Sequence, residues 1–297
     1  MDRLFTFGCS FTNWNWPTWA DILSKEFSYY SNWGYAGLGN RAIAERVAEA
    51  NTVYNFDEND LVVVQWTSHI RNDYARTDRK DPTGGMWQTR GAVISPANLS
   101  VYDNSWFERF WDEKAYYLHT LNNISLTQGF LNGTGCQWYM TSATDLTEIE
   151  FSSESTAPDR DRKSVWQLDP SMLPYRKTIW EDYQEHWLPP LAEEKWNTPD
   201  LDWLFVKDLS DQQRSYVPDS QFRNGMWVEP HLTPRQHANY LEKIYNRIGI
   251  DVPKSKEITE LVDYFNNMYN DSGKNWDSFM KTLCADEWAI TKIYQGR

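Results

Sequence analysis

After Asp60 the chain reads Leu61-Val62-Val63-Val64-Gln65-Trp66, a mostly apolar run with polar residues on both sides. An extended segment points alternate side chains to opposite faces, so this run needs cover on both. That requirement points to a parallel sheet sandwiched between layers of helix, not to a sheet with one solvated face. Two shorter strands precede it: Leu4-Phe5-Thr6-Phe7, ending at Gly8, and Tyr29-Tyr30-Ser31-Asn32-Trp33. Between them Trp19, Ile22, Leu23 and Phe27 fall at helical spacing after Pro17. Gly37 and Gly39 then open a second helix, with Ile43 and Val47 on one face.

Beyond residue 66 the pattern loosens. Residues 72–105 mix Gly, Pro, Asp and Arg and read as a long loop. A helix is expected from about residue 106 to 128, with Phe107, Trp111, Leu118, Leu121 and Ser125 near one face. Gln137-Trp138-Tyr139-Met140-Thr141 makes a fourth strand, and Asp202-Trp203-Leu204-Phe205-Val206 a fifth. Residues 144–178, polar and Pro-containing, read as inserted chain outside the core. Thr233-Pro234-Arg235-Gln236 spells a capped helix start, followed by His237, Leu241, Ile244 and Ile248 on one face. The alternation predicts an α/β, flavodoxin-like three-layer α/β/α sandwich around a parallel five-stranded sheet. Any site is then expected at the carboxyl ends of the strands.

The expected organisation is a domain over 1–250, with insertions at about 72–105 and 144–200, and a C-terminal helical extension over 251–297. In the extension Ile258, Leu261, Val262 and Phe265 form one apolar stripe, and Trp276, Phe279, Met280 and Leu283 another. These helices either pack back on the domain or meet a protein partner.

Composition narrows the function classes. Lys plus Arg number 29 against 42 Asp plus Glu, a formal net charge of −13, so phosphate backbones are repelled and no nucleic-acid partner is expected. No stretch approaches the roughly eighteen apolar residues of a membrane span. The first residues lack a signal-peptide layout. A cytoplasmic or virion-associated protein without membrane contact is the expectation. Cys9, Cys136 and Cys284 are odd in number and far apart, which suits neither a disulfide framework nor zinc. The 17 Trp, 17 Tyr and 13 Phe either fill a core or, left exposed, form binding platforms.

Four polar turns fall at the expected strand ends. Gly8-Cys9-Ser10-Phe11-Thr12 closes the first strand. A serine there projects from the sheet edge with its N–H free to meet an oxyanion, and it can equally cap the turn. Asn32-Trp33-Gly34-Tyr35-Ala36-Gly37-Leu38-Gly39-Asn40 follows the second strand and turns N–H groups toward the same edge. Asn40 can reach a substrate or cap its helix. The glycine spacing is not G-x-G-x-x-G, so no dinucleotide phosphate loop is read. Gln65-Trp66-Thr67-Ser68-His69 brings the side-chain donors Gln65, Thr67 and Ser68 to that edge. Glu229-Pro230-His231 precedes the capped helix. His231 is either a general base oriented by the adjacent acid or a surface-loop histidine. His237 reads as packing, and His119 and His186 as structural. Neighbours on an extended segment face opposite ways, so if Ser10 faces the site, Cys9 faces the core and is buried and inert.

Together these elements resemble the blocks of SGNH/GDSL hydrolases, in that order and on those strand ends. Gly8-Cys9-Ser10-Phe11-Thr12 is similar to the nucleophile block, with Cys9 where the family usually has Asp. The resemblance implies Ser10 as nucleophile and His231 as base. Residues 32–37 match the block spelled roughly N-x-x-x-x-G, which implies Gly37 as a backbone oxyanion donor. The third block of the family ends Gly-x-Asn-Asp; here no asparagine follows Trp66 until Asn72, and Ser68 or Thr67 stands in for its donor. Val228 occupies the commoner aspartate position, and Glu229 takes the orienting role. The likeness covers about residues 3–75 and 200–250. Phe7-Gly8-Cys9-Ser10-Phe11-Thr12 with Trp66-Thr67-Ser68 also looks like SGNH-like proteins of tailed phages.

The resemblance implies a serine hydrolase of carboxylesterase or acetylesterase type, with no metal or organic cofactor; exposed Trp and Tyr expected around the site point to an acylated carbohydrate as substrate, with a small ester or a lipid ester also open. The alternative is a non-catalytic SGNH-like module that binds glycan or protein, as a virion or assembly component. The altered third block and the aromatic richness favour that module; the retained Ser10 and His231 oppose it. A flavodoxin-like nucleotide or flavin binder would share the sheet, but the turn at residues 8–12 is short and carries Phe11 where a phosphate loop would sit.

Overall fold

A computed structural model describes residues 1–73, 92–93, 105, 109–147, 170–191, 206–207, 222–223, 226–228, 231–250, 256–273, 275, 278–279 and 281–282. Strands β1 (Arg3–Phe7), β2 (Tyr29–Asn32), β3 (Asp60–Trp66) and β6 (Gln137–Ser142) form one parallel sheet in the order β2-β1-β3-β6. That is the flavodoxin-like order, in which the first strand lies inside and the second at the edge. Two-residue strands β4 (Arg71–Asn72) and β5 (Ala92–Val93) pair antiparallel just past β3, inside the segment expected to be loop.

Both faces of the sheet are covered, as the β3 run requires. On one face Phe5, Phe7, Val62, Val64 and Met140 pack with helix α2 (Asn40–Tyr54) through Ile43 and Val47 and with α3 (Glu113–Asn132) through Leu121 and Ile124. On the other, Leu4, Leu61 and Val63 meet α1 (Trp19–Leu23) and α4 (Pro234–Ile244) through Ile22, Leu23, Leu241 and Ile244. Each such fully buried aliphatic or aromatic side chain contributes roughly 1.5–3 kcal/mol against leaving it in water. At the foot of β3, buried Asp60 receives Arg3 Nη2 at 2.7 Å, which pins the start of β1 to its neighbour.

The sheet has four strands in the described residues, not five. Residues 202–205 lie outside them, and Val206–Lys207 (β7) pairs antiparallel with β9 (Met226–Val228), which also pairs with β8 (Phe222–Arg223) in a separate small sheet. The open edge of β6 is lined instead by residues 187–191. Leu188 N–H donates to Met140 O at 2.8 Å and Leu191 N–H to Ser142 O at 2.8 Å. Pro189 and Pro190 have no N–H to give, so this edge takes two bonds and a single bridge, not a ladder.

Two other expectations change. The third helix starts at Glu113, where the Asp112 side chain caps it by accepting Ala115 N–H at 3.1 Å, and Ser125 faces solvent while Tyr117 and Ile124 are buried. Residues 170–178 are not outside the core. Short helical turns between Pro170 and His186 bury Met172 and Ile179, seven residues apart on one side, in the α2–α3 layer. Helix α4 has the capping box its spelling predicts, with Gln236 N–H to Thr233 Oγ1 at 3.2 Å and Thr233 N–H to Gln236 Oε1 at 2.9 Å. Helix α5 (Lys256–Asp271) packs on α4 and buries Val262, Phe265, Met268 and Tyr269. Cys9 and Cys136 are buried free thiols, and Cys284 lies outside the described residues. Among the described residues no helix is long and apolar enough to cross a membrane.

Candidate active site

The turn after β1 is tight because Gly8 allows it. A Cβ on Gly8 would collide with the Thr12 hydroxyl, which closes the turn by donating to Gln65 Oε1 at 2.7 Å. The N–H groups of Thr12 and Asn13 both reach back to Cys9 O, at 3.0 and 3.1 Å. Ser10 is thereby held at the carboxyl edge of the sheet. His231 comes from 221 residues further on, from the loop just before α4, and its Nε2 lies 2.7 Å from Ser10 Oγ. That is hydrogen-bond distance for a base taking a serine proton.

Cys9 faces the other way and is fully buried. Its sulfur sits in a polar nest, with Gln65 Nε2 at 3.6 Å. Burial pushes the thiol up, but the charge of Arg71 and hydrogen bonds from Phe11 N–H, Thr67 and Gln65 outweigh it, and the net shift is downward. The surroundings are therefore not the apolar ones expected for an inert thiol; inaccessibility alone keeps it from reagents.

Gly37 has φ of 87°, the left-handed region that a side chain resists, at the turn between β2 and α2. Neighbouring N–H groups are engaged: Trp33 with Thr6 O at 2.8 Å, Gly34 with Asn32 Oδ1 at 2.9 Å, Tyr35 with Gly8 O at 3.0 Å and Leu38 with Tyr35 O at 3.3 Å. Gly39 N–H goes to Asp73 Oδ1 at 2.8 Å. The N–H groups of Ala36, Gly37 and Ser10 have no acceptor among the described residues. Two of these three belong to the residues that the resemblance assigns to an oxyanion hole.

The end of β3 is different. Asn40 is not a substrate donor here. Its Nδ2 donates to Thr67 O and to Thr120 Oγ1, both at 3.0 Å, and its Oδ1 accepts Thr67 N–H at 2.8 Å. Both of its N–H bonds are used, so its role is a buried brace joining α2, α3 and β3. Thr67 is buried and helps hold the Cys9 thiol down, and Gln65 turns inward onto Thr12, Trp66 O and Cys9. Ser68 is half-buried, and its hydroxyl has no partner among the described residues. Glu229 lies outside the described residues.

Several residues at this edge carried no sequence signal for a role. Asp73, directly after Asn72, caps α2 through Gly39 N–H and Ala42 N–H, at 2.8 and 2.9 Å. Burial pushes its carboxyl above the usual range. Buried His69 meets buried Glu113 at 3.2 Å and ties the end of β3 to the start of α3. Arg71 donates through Nη1 to Leu38 O at 2.9 Å, next to Gly37. It borders a cleft of about 310 Å³, lined also by Asn72, Tyr116, His119, Asn122 and Asn123. Trp14, half-buried, stacks on His231 with ring centroids 3.7 Å apart. The expected exposed tryptophans are absent among the described residues: Trp16, Trp19, Trp66 and Trp138 are core, and Trp14 alone touches the histidine face to face. Among the described residues no group of three or more His, Cys, Asp or Glu could hold a metal ion.

No family model and no curated protein matches the chain. Among solved structures it is similar to a psychrotrophic esterase from Pseudoalteromonas, at 10% identity and a TM-score of 0.39, covering 84% of this chain and 97% of that one. It is also similar to a GDSL-like lipase from Bacteroides thetaiotaomicron, at 12% identity and 0.36, covering 84% and 88%. A third is an acetylxylan esterase from Geobacillus stearothermophilus, at 11% and 0.37, covering 86% and 97%. At this identity and overlap the chemistry of the site has to stand on its own distances. The strand order β2-β1-β3-β6, with Ser10 just past the carboxyl end of β1, is the flavodoxin-like arrangement expected from the sequence.

Proposed function

We propose that the chain is a serine-dependent ester hydrolase of carboxylesterase or acetylesterase type. The observation that carries this reading is the 2.7 Å contact between His231 Nε2 and Ser10 Oγ. Ser10 Oγ attacks the acyl carbonyl while His231 Nε2 takes its proton, and the alcohol leaves with that proton. Water then enters by the same base and frees the acid. The negative charge on the carbonyl oxygen is met by the N–H groups of Ser10 and Gly37, which have no other acceptor among the described residues. Ser68 is assigned the third donor, in place of the family's asparagine, because Thr67 and Asn40 are committed elsewhere. Glu229 is assigned the role of orienting the imidazole.

The alcohol part of the substrate is read as a carbohydrate. Its support is a cleft whose Arg71, bonded to Leu38 O beside Gly37, lies with Asn72, His119, Asn122 and Asn123, side chains that suit sugar hydroxyls. Turnover of p-nitrophenyl acetate and of an acetylated sugar by the wild type, Ser10→Ala and His231→Ala is the test. The reading expects release of acetate by the wild type and a fall of at least about 10³-fold in both variants. A wild type that releases no acetate from either ester but still binds the sugar would make the chain a binding module.

A further inference from the structure

We propose that Trp14 is a positioning residue for His231: its ring face holds the imidazole in line with Ser10 and stabilises the imidazolium formed when His231 takes the serine proton. This deepens the hydrolase reading and rests on it. The two rings lie nearly parallel, with centroids 3.7 Å apart and planes at 17°. Phe11 stands against the same imidazole at 5.2 Å and 39°.

A ring stacked this way carries the negative face of its quadrupole toward the histidine, which favours a cation over a neutral partner. The charge appears at one moment in the reaction. As Ser10 Oγ forms its bond to the acyl carbon, the O–H bond breaks, the proton moves to Nε2, and the carbonyl oxygen takes the electron pair. The imidazolium and the oxyanion then coexist, and Trp14 acts on the first as the N–H groups act on the second.

Trp14 is itself held by rings. Its Nε1 is buried without a hydrogen-bond partner among the described residues, so no polar contact sets its orientation. Trp16 meets it edge to face at 6.1 Å and 85°. Trp16 in turn donates Nε1–H to Leu232 O at 2.8 Å, the residue after His231, and packs on Phe279 at 6.0 Å. Phe279 lies in the C-terminal extension and meets Tyr269 of α5 at 6.5 Å. The extension, which the family resemblance leaves unexplained, therefore buttresses the loop that carries the base. The Trp14 face turned to His231 is already covered, which sets it apart from a platform for substrate.

The test uses Trp14→Leu and Trp14→Phe in the full chain, with folding checked by circular dichroism. Trp14→Leu is expected to lower kcat about 10-fold with KM nearly unchanged, and Trp14→Phe to restore most of it, as cation–π stabilisation of this size implies. A rise in KM at constant kcat would make Trp14 a substrate platform and overturn the proposal, as would an unchanged kcat in Trp14→Leu. A second readout needs no activity. The His231 ring protons, assigned with His231→Asn, should show an upfield ring-current shift in the wild type and in Ser10→Ala, weaker in Trp14→Phe and weakest in Trp14→Leu, where Phe11 alone remains against the ring. No upfield shift in the wild type sinks the proposal whatever the activity; a shift without any ester turnover leaves the stack standing and removes the hydrolase reading. If Trp14→Leu does not fold, the kcat and ring-current changes in Trp14→Phe decide.

Discussion

At the carboxyl end of β1, Ser10 offers its hydroxyl to His231 and has no acceptor for its N–H among the described residues, whereas one strand over, at the end of β3, the polar groups are turned inward. Gln65, Thr67 and Asn40 join strands and helices to each other, and Ser68 alone keeps a hydroxyl without a partner among the described residues. The two turns look alike as strings of small polar residues. Their difference lies in neighbours: Gly8 lets the first turn curl on itself, while the second is met by Asn40 and by the Cys9 nest. A polar residue at a strand end thus divides into brace or reagent according to what packs behind it.

Ser68→Ala should break the comparison most sharply. Loss of one oxyanion donor lowers kcat by roughly 10²–10³-fold, while Thr67→Val, which takes a hydroxyl from Cys9 and not from the substrate, should stay within about 10-fold of wild type. Steady-state kinetics on one short-chain ester compares them. Equal losses in the two variants would erase the assignment of Ser68.

Asn40→Ala is the next largest effect, and it falls on stability. Three buried hydrogen bonds go, at about 1 kcal/mol each, so urea unfolding should show a loss of about 2–3 kcal/mol. At temperatures where the variant stays folded, KM should be unchanged; a raised KM with unaltered stability would return Asn40 to the substrate.

Cys9 sharpens the contrast between adjacent residues. A thiol reagent should leave Cys9 unmodified in the folded protein and modify it on unfolding, as counted by mass spectrometry on the Cys9 peptide. Rapid modification with loss of activity in the folded state would move the nucleophile from Ser10 to Cys9.

The smallest expected effect is a slope with pH. Burial raises the Asp73 carboxyl above its unfolded value. Its contribution to stability is then fully present below the ordinary aspartate value of about 3.9 and declines as pH rises through the folded value. The melting temperature of the wild type relative to Asp73→Asn should therefore drift downward through that window. An upward drift would mean that the two backbone N–H donors outweigh burial.

Much of this arrangement was legible because the determinants are local. The β3 run demanded two covering layers, the Thr233–Gln236 box announced α4, and the turns holding Ser10 and His231 each carry their own spelling. Long-range pairings were not legible. Residues 187–191 occupy the β6 edge expected for a fifth strand, although two prolines make that segment read as insertion. Asn40 reads as well for a substrate contact as for a brace until Thr67 and Thr120 are seen against it. Trp14 sits in a tryptophan-rich stretch where nothing local marks one ring as the partner of a histidine more than 200 residues away.

The central claim is that Ser10 is an activated serine, not a capping one. A fluorophosphonate probe reacts with a serine only when a base draws off its proton, and peptide mapping then reports which residue carries the phosphonyl group. The account predicts one adduct, on Ser10, in the wild type, and none in Ser10→Ala or His231→Ala. An unlabelled wild type, an adduct on another residue, or full labelling of His231→Ala would contradict it.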